Sequence, residues 1–323
     1  MKKNIVLIKG GGGTEHDISL ISAEYIASKI DRDKFNLHEV LIDKKGKWTS
    51  QGLPIDFSLN GEMISGSEKF KVDGAIPCIH GPPGETGEIQ SYLNMNKIPY
   101  IGCGPEASTL CFNKLATKLI LENAGIKTAP FIQVRKNENE QALTDFFKKH
   151  QDIFLKATNQ GSSVGCYHIT KLEELTFHLK EAFSLSPYVI AEKTIKGREL
   201  ELAVYQDESG WHATLPGEIY CPNEFYTYEE KYSQNSQTKT LVVAPEISEQ
   251  TSTKMKQIAL EIVEVIKLRH LARIDFFLSE DGEVYINEIN TFPGHTPISM
   301  FPMMMENAGL KYFNFLNYHL SQF

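Results

Sequence analysis

The residues best suited to chemistry are Arg273-Ile-Asp275 and Glu288-Ile-Asn290, the second group running on into Thr-Phe-Pro-Gly294. Asp275, Glu288 and Asn290 offer hard oxygen donors, the kind magnesium selects. Residues 271–278 and 284–289 read as two strands joined by the turn Ser279-Glu-Asp-Gly282. Side chains two apart on a strand share a face. Arg273 therefore points with Asp275, and Glu288 with Asn290. If the strands pair, three metal ligands and a guanidinium converge. Such a site suits a magnesium nucleotide and a developing negative charge, so the chain is expected to use ATP.

Those strands need a scaffold. The first third of the chain alternates strand and helix: strands at 4–9, 36–42 and 74–79, helices at 18–30 and 89–96, and a short strand at 100–102. This is a Rossmann-like βαβ unit with a parallel sheet. A long helix is predicted over 106–123, closed by Gly125. Strand 131–135, helix 139–150, strands 153–156 and 166–169 and helix 171–183 follow, an α+β pattern. From residue 188 strands dominate, at 188–193, 199–205 and 211–215. The polar stretch 221–239 has few helix or strand signals, and so long a segment inside a domain points to function. Helix 250–268 leads into the metal strands, and helix 311–320 closes the chain. The predicted organisation is 1–102, 103–190 and 191–323.

Composition narrows the functional classes. A chain of 323 residues has room for several cores. The net charge of −8 supplies no basic face for a sequence-independent grip on nucleic acid. No apolar run is long enough to span a membrane, and the run Ile5-Val-Leu-Ile8, ended by Lys9 and four glycines, is too short for a signal core. Cys78, Cys103, Cys111, Cys166 and Cys221 contain no C-x-x-C pair. The first four sit among apolar or strand-like neighbours and read as small buried groups in a reducing cytoplasm.

Two patterns are decoys. Gly10–Gly13 lacks the third glycine of a dinucleotide fingerprint, because position 16 is His16, and reads as a tight strand-to-helix turn. Gly161-Ser-Ser-Val-Gly165 matches the nucleophile-elbow pattern, but an elbow needs a helix directly after it. Here Cys166-Tyr-His-Ile169 continues as a strand. The unit reads as a hairpin with a Gly/Ser tip, fit to lie over phosphates with backbone N–H groups.

Seven motifs in order resemble the ATP-grasp fold and, within it, the D-alanine–D-alanine ligase family. They are Gly11-Gly-Gly-Thr-Glu15-His-Asp-Ile-Ser19; His80-Gly-Pro-Pro-Gly84-Glu-Thr-Gly87 with Gln90; Asn113-Lys114 to Lys118; Lys156 to Gly165; Glu192-Lys193 to Glu199; Phe225 to Lys231-Tyr232; and Arg273 to Met300. The resemblance covers nearly the whole chain. It implies an ATP-grasp fold behind a pre-ATP-grasp parallel-sheet domain. It also implies a reaction: ATP phosphorylates one D-alanine carboxylate, and the amine of a second D-alanine displaces phosphate, for peptidoglycan precursors. The family is usually dimeric, so a homodimer is expected, with no nucleic acid or membrane partner.

Roles follow by position in the motifs. Asp275, Glu288 and Asn290 match ligands of two magnesium ions, with manganese a possible substitute. Arg273 and the Gly294 N–H match the oxyanion stabilisers. Lys114, Lys156 and Lys231 match phosphate-binding lysines, and Ser162 and Ser163 sit in the phosphate loop. Glu192, Lys193, Ile195 and Glu199 match the adenine and ribose segment, with Phe154 and Phe277 flanking the base. Glu15 matches the carboxylate that takes the first ammonium, and Ser162 and Tyr232 its hydrogen-bonded partners. His80, Ser299 and Met300 match contacts to substrate. The chain departs from the family pattern at Ala157 (usually proline), Thr86 (commonly aspartate), His295 (usually methionine) and Met300 (commonly leucine). The last two adjoin the acceptor pocket and motivate an alternative, a ligase using D-lactate, D-serine or another amino acid.

Overall fold

Ile5, Val6, Leu7 and Ile8 are completely buried, as the middle of a strand covered on both faces must be. They lie in β1 (Lys3–Gly10), which leads through α1 (His16–Ser28) to β2 (Phe35–Ile42). Four short strands follow, β3 (Trp48–Ser50), β4 (Leu53–Ser58), β5 (Glu62–Ser65) and β6 (Glu68–Lys71), before β7 (Gly74–Cys78). In this computed structural model, which describes residues 2–136, 138, 140–220 and 239–323, they form one sheet in the order β6-β5-β4-β3-β2-β1-β7. β1 is parallel to both β2 and β7, while β3 to β6 form an antiparallel meander. The parallel part is the predicted βαβ unit. The sequence reading missed the meander, whose strands are too short for a clear alternation. Gly10 ends β1 at φ +93°, and a Cβ there would lie 2.2 Å from the Ile42 carbonyl oxygen. The tight turn expected at the glycine run is thus a steric requirement.

After α2 (Glu88–Met95), the expected single helix over 106–123 is two helices, α3 (Pro105–Phe112) and α4 (Lys114–Asn123). The break is Asn113, whose ψ of 99° is extended and whose side-chain oxygen accepts the Ala116 N–H at 3.1 Å. An N-cap in mid-run restarts the helix at a new angle. Helical periodicity did not reveal it.

The second sheet contains β8 (Phe131–Val134), β9 (Ile153–Ala157), β10 (Cys166–Ile169) and β11 (Val189–Lys193), in the order β10-β9-β11-β8, all antiparallel. α5 (Glu140–His150) and α6 (Leu175–Leu185) supply its helical cover. Alternation sends Ile153, Leu155, Val189, Ala191 and Val134 into the core with Leu143, Phe147 and Ala182. By the same alternation Phe154, Lys156, Glu192 and Phe131 occupy the opposite face.

The third sheet is built from β12 (Gly197–Asp207), β13 (Gly210–Ala213), β14 (Gly217–Tyr220), β15 (Lys239–Leu241), β16 (Leu271–Ser279) and β17 (Val284–Asn290). Its path is β15-β14-β12-β16-β17, with β13 beside β12. α7 (Glu249–Ile266) covers one face through Met255, Ala259, Ile262 and Val263. α8 (Met300–Asn307) and α9 (Tyr312–Gln322) join the other face to the first sheet, so Met304, Phe315 and Leu316 pack in one core with Ile26, Ile76 and Ala203. The chain is a mixture of α/β and α+β layers, as expected.

Candidate active site

The hairpin β16–β17 carries the four residues first singled out. Asp275 lies opposite Glu288 and Arg273 opposite Asn290. On β16, Ala272, Ile274 and Phe276 enter the core under α7, so Arg273, Asp275 and Phe277 take the other face. β17 is less regular. Val284, Ile286 and Ile289 are all buried in that core, which strict alternation forbids. The register shifts between Asp275 and Phe276, because Phe276 faces Ile286 and Asn287 is the extra residue. This bulge turns Glu288 and Asn290 away from the core and towards Asp275.

The four side chains are already paired. The Arg273 guanidinium donates to both Asp275 oxygens, Nε to Oδ1 and Nη2 to Oδ2, each at 2.7 Å. Arg273 also lies 3.3 Å from Glu201 of β12. Asn290 Nδ2 donates to Asp275 Oδ2 at 3.0 Å. Lys114, at the start of α4, sits 3.4 Å from Glu288. Burial works against the Arg273 charge, but Asp275 and Glu201 outweigh it and hold the guanidinium well above its ordinary value. Among the described residues no group of three or more His, Cys, Asp and Glu side chains is gathered as a metal site. The donor set here is instead two carboxylates and one amide. Its oxygen-only chemistry fits a hard divalent cation.

Arg273, Glu288 and Asn290 line a cavity of about 670 Å³, with Asp275 behind them. Glu15, Ser162, Lys114, Arg273, Glu288, Asn290, Gly294, Ser299, Met300 and His80 all line it. Three structural units meet there. Glu15 precedes α1, and Ser162 is at the tip between β9 and β10, where its Oγ donates to Glu15 Oε1 at 2.7 Å. Ser162 and Ser163 hold φ +51° and +61°, the curled backbone of a hairpin tip rather than the entry to a helix. The same tip is tied to α4, since Lys114 Nζ donates to the Gln160 carbonyl at 2.9 Å. Lys231 and Tyr232, together with the rest of 221–238, lie outside the described residues.

In the loops beside the cavity, His80 and His295 are both buried. Ser22 Oγ of α1 contacts His80 Nε2 at 3.1 Å and accepts the His295 peptide N–H at 3.3 Å. His295 Nδ1 donates to the Pro293 carbonyl at 2.5 Å. Burial, then the neighbouring His80, push the His295 imidazole down to about 3. Burial likewise lowers His80, against the pull of Glu15. Burial thus disfavours the charged form of both rings. Ser299 Oγ accepts the Thr296 N–H at 2.9 Å and so shapes the loop between β17 and α8.

The nucleotide-type residues form a separate group off the cavity wall. Lys156 Nζ and Lys118 Nζ each lie 2.8 Å from Glu192, on different oxygens. Burial alone would raise the Glu192 carboxyl, but the two ammonium groups hold it below its usual range. Phe154, half-buried, stacks on His168 with ring centres 4.9 Å apart. Glu199 and Phe277 face each other across β12 and β16. Lys193 is exposed and Ile195 half-buried, in and just beyond β11. Two participants escaped the sequence reading: Lys118, and the cavity-lining Glu85. Glu85 accepts the Gly81 N–H at 2.7 Å. Burial, with Glu15 and Glu288 nearby, raises it to about 7. Lys118 closes the Asn113–Lys118 motif, one helical turn from Lys114, but the motif gave it no role. Glu85 offered none beyond its place in the His80–Gly87 motif.

Comparison with known proteins places the sequence and the fold in a family. The family model for the D-ala D-ala ligase N-terminus matches residues 4–103, and that for the C-terminus matches residues 120–320. A D-alanine--D-alanine ligase of Shewanella oneidensis is 46% identical over 98% of this chain and 96% of its own length. Among solved structures, D-alanyl-alanine synthetase A from Vibrio cholerae superimposes with a TM-score of 0.94 at 40% identity, covering 99% of this chain and 98% of the other. The VanG D-Ala:D-Ser ligase from Enterococcus faecalis gives 0.89 at 27% identity, covering 99% of each chain. Identity at this level along the whole length, on a common fold, makes the chain a member of the D-alanine–D-alanine ligase family.

Proposed function

We propose that this chain joins two D-alanine molecules into D-alanyl-D-alanine at the expense of ATP, releasing ADP and phosphate. A bare carboxylate resists amine attack because its leaving group would be oxide, and phosphorylation replaces that with phosphate. Catalysis is then positioning plus charge neutralisation. The observation that carries the reading is the meeting of Glu15, Ser162 and Arg273, from three separate units, around one cavity beside the Asp275–Glu288–Asn290 face.

In this reading Glu15 takes the ammonium of the first D-alanine, and Ser162 holds Glu15 in place. Arg273, with the Gly294 N–H, stabilises the tetrahedral oxyanion. Its bidentate bond to Asp275 fixes the guanidinium plane beforehand, so little reorganisation is needed as charge develops. Lys114, Lys156 and Lys231 engage the phosphates, with backbone from the Ser162–Ser163 tip. Glu192, Lys193, Ile195 and Glu199 hold adenine and ribose between Phe154 and Phe277. His80, Ser299 and Met300 contact the acceptor, and Tyr232 completes the Glu15–Ser162 set. Asp275, Glu288 and Asn290 would hold magnesium, or manganese in its stead, which supplies charge neutralisation at the phosphates. The proposed units are 1–102, 103–190 and 191–323, the second boundary falling within β11, which pairs with β8 and β9. The buried thiols of Cys78, Cys103 and Cys111 suit a reducing cytoplasm, and a homodimer is the proposed assembly. No described helix is long and apolar enough to cross a membrane.

D-Alanine is favoured as acceptor over D-serine because relatives named for D-alanine share the higher identity. Measuring ADP release with D-alanine, L-alanine, D-serine and D-lactate, with product masses, tests this. D-alanine alone should yield a dipeptide mass. Turnover only with L-alanine, or an ester or mixed product in preference, would overturn it.

A further inference from the structure

Lys118 is absent from the roles above, yet it is among the most enclosed charges in the chain. It is 2% exposed, as is Glu192, and Lys156 is 7% exposed. Charges so far from water persist only when paired and hydrogen-bonded. Glu192 serves both lysines, one oxygen each, at 2.8 Å. Among the described residues neither ammonium forms an ion pair with a second carboxylate. Two cations and one anion leave the cluster with an excess positive charge.

The location gives that excess a use. Lys156 and Glu192 stand on adjacent strands of the second sheet, on the face its helices do not cover. Lys118 reaches that face from α4, one turn beyond Lys114, which meets Glu288 and the phosphate-type hairpin tip. Its ammonium also lies 5.5 Å from the centre of the Phe131 ring, a favourable place for a cation.

We propose that Lys118 is a positioning residue for the nucleotide: by occupying one Glu192 oxygen it keeps Lys156 only half-neutralised and so available to a phosphate. Without Lys118, Glu192 belongs wholly to Lys156. The pair is then neutral and the phosphate loses its attraction. This inference rests on the ATP-using function proposed above. A passive clamp between α4 and the sheet would not separate the two substrates or distinguish arginine from glutamine, whereas this role touches ATP and needs the charge.

The experiment compares wild type with Lys118→Met, Lys118→Gln and Lys118→Arg. Steady-state KM for ATP and for D-alanine is measured, with calorimetric ADP binding in the absence of D-alanine. Lys118→Met and Lys118→Gln should raise the ATP KM and weaken ADP at least tenfold, with the D-alanine KM within twofold. Lys118→Arg should stay near wild type. An ATP KM within twofold of wild type in Lys118→Met and Lys118→Gln would overturn the proposal, as would an equal rise in the D-alanine KM. ADP titration reads Lys118 even if wild type fails to turn over D-alanine, an outcome that would overturn the proposed reaction instead. Should Lys118→Met fail to fold, Lys118→Gln carries the same expectation, since it places a polar, uncharged group close to Glu192 in place of the ion pair.

Discussion

Replacing Glu85 with glutamine should change how stability depends on pH, and the structure sets both sign and size. The Glu85 carboxyl is raised from an ordinary 4.5 to about 7, mainly by burial. Between those values the folded chain keeps a proton that the unfolded chain has released. Stability therefore falls as pH rises through this window and levels off above about 7. The full loss is about 3 kcal/mol, of which about 2 kcal/mol falls between pH 5.5 and 8. Glutamine can still accept the Gly81 N–H but carries no charge at any pH. The variant should thus match wild type near pH 4.5 and be progressively more stable towards pH 8. Urea unfolding of both proteins across pH 5.5–8, without ligands, measures the gap directly. Parallel profiles, or a gap that closes as pH rises, would refute the assignment of a protonated, half-buried carboxyl at this cavity.

Two other substitutions probe the proposed roles. Glu288→Gln should lower turnover on the order of 10²-fold or more while circular dichroism and melting stay near wild type; near-normal turnover would remove Glu288 from the metal set. Ser162→Ala should raise the D-alanine KM more than the ATP KM, because it frees the Glu15 carboxylate from its 2.7 Å bond. Initial-rate kinetics with each substrate varied in turn would expose an equal effect on both, which contradicts a role confined to the ammonium site.

Much of the site was legible because its key pairs are local. Arg273 and Asp275 share a strand face, and their strand must pair with its neighbour across a short turn, so their convergence followed from alternation alone. The same rule, applied strictly to β17, would have buried Glu288 and Asn290 with Val284 and Ile286. The bulge at Asn287 rescues them, and nothing in the sequence marks it. The break at Asn113 was hidden for a related reason: a polar side chain acting as a cap looks like any surface residue until its bond to the Ala116 N–H is seen. Lys118, Glu192 and Lys156 come from a helix and two strands far apart in the chain. Their pairing is tertiary, and no periodicity carries it. The meander β3 to β6 escaped because its strands are only three to six residues long.

Arg273, Lys114, Lys156 and Lys118 each have a carboxylate partner at this site before any substrate arrives. Arg273 is held by Asp275 and Glu201, Lys114 by Glu288, and Lys156 and Lys118 by Glu192. A buried charge left alone is costly, so a site that must later grip phosphates gains from carboxylates that hold its cations meanwhile. The same pairing sets the terms of binding. In the role proposed for Lys118, a phosphate that draws Lys156 away need not strand Glu192, because Lys118 stays 2.8 Å from its other oxygen.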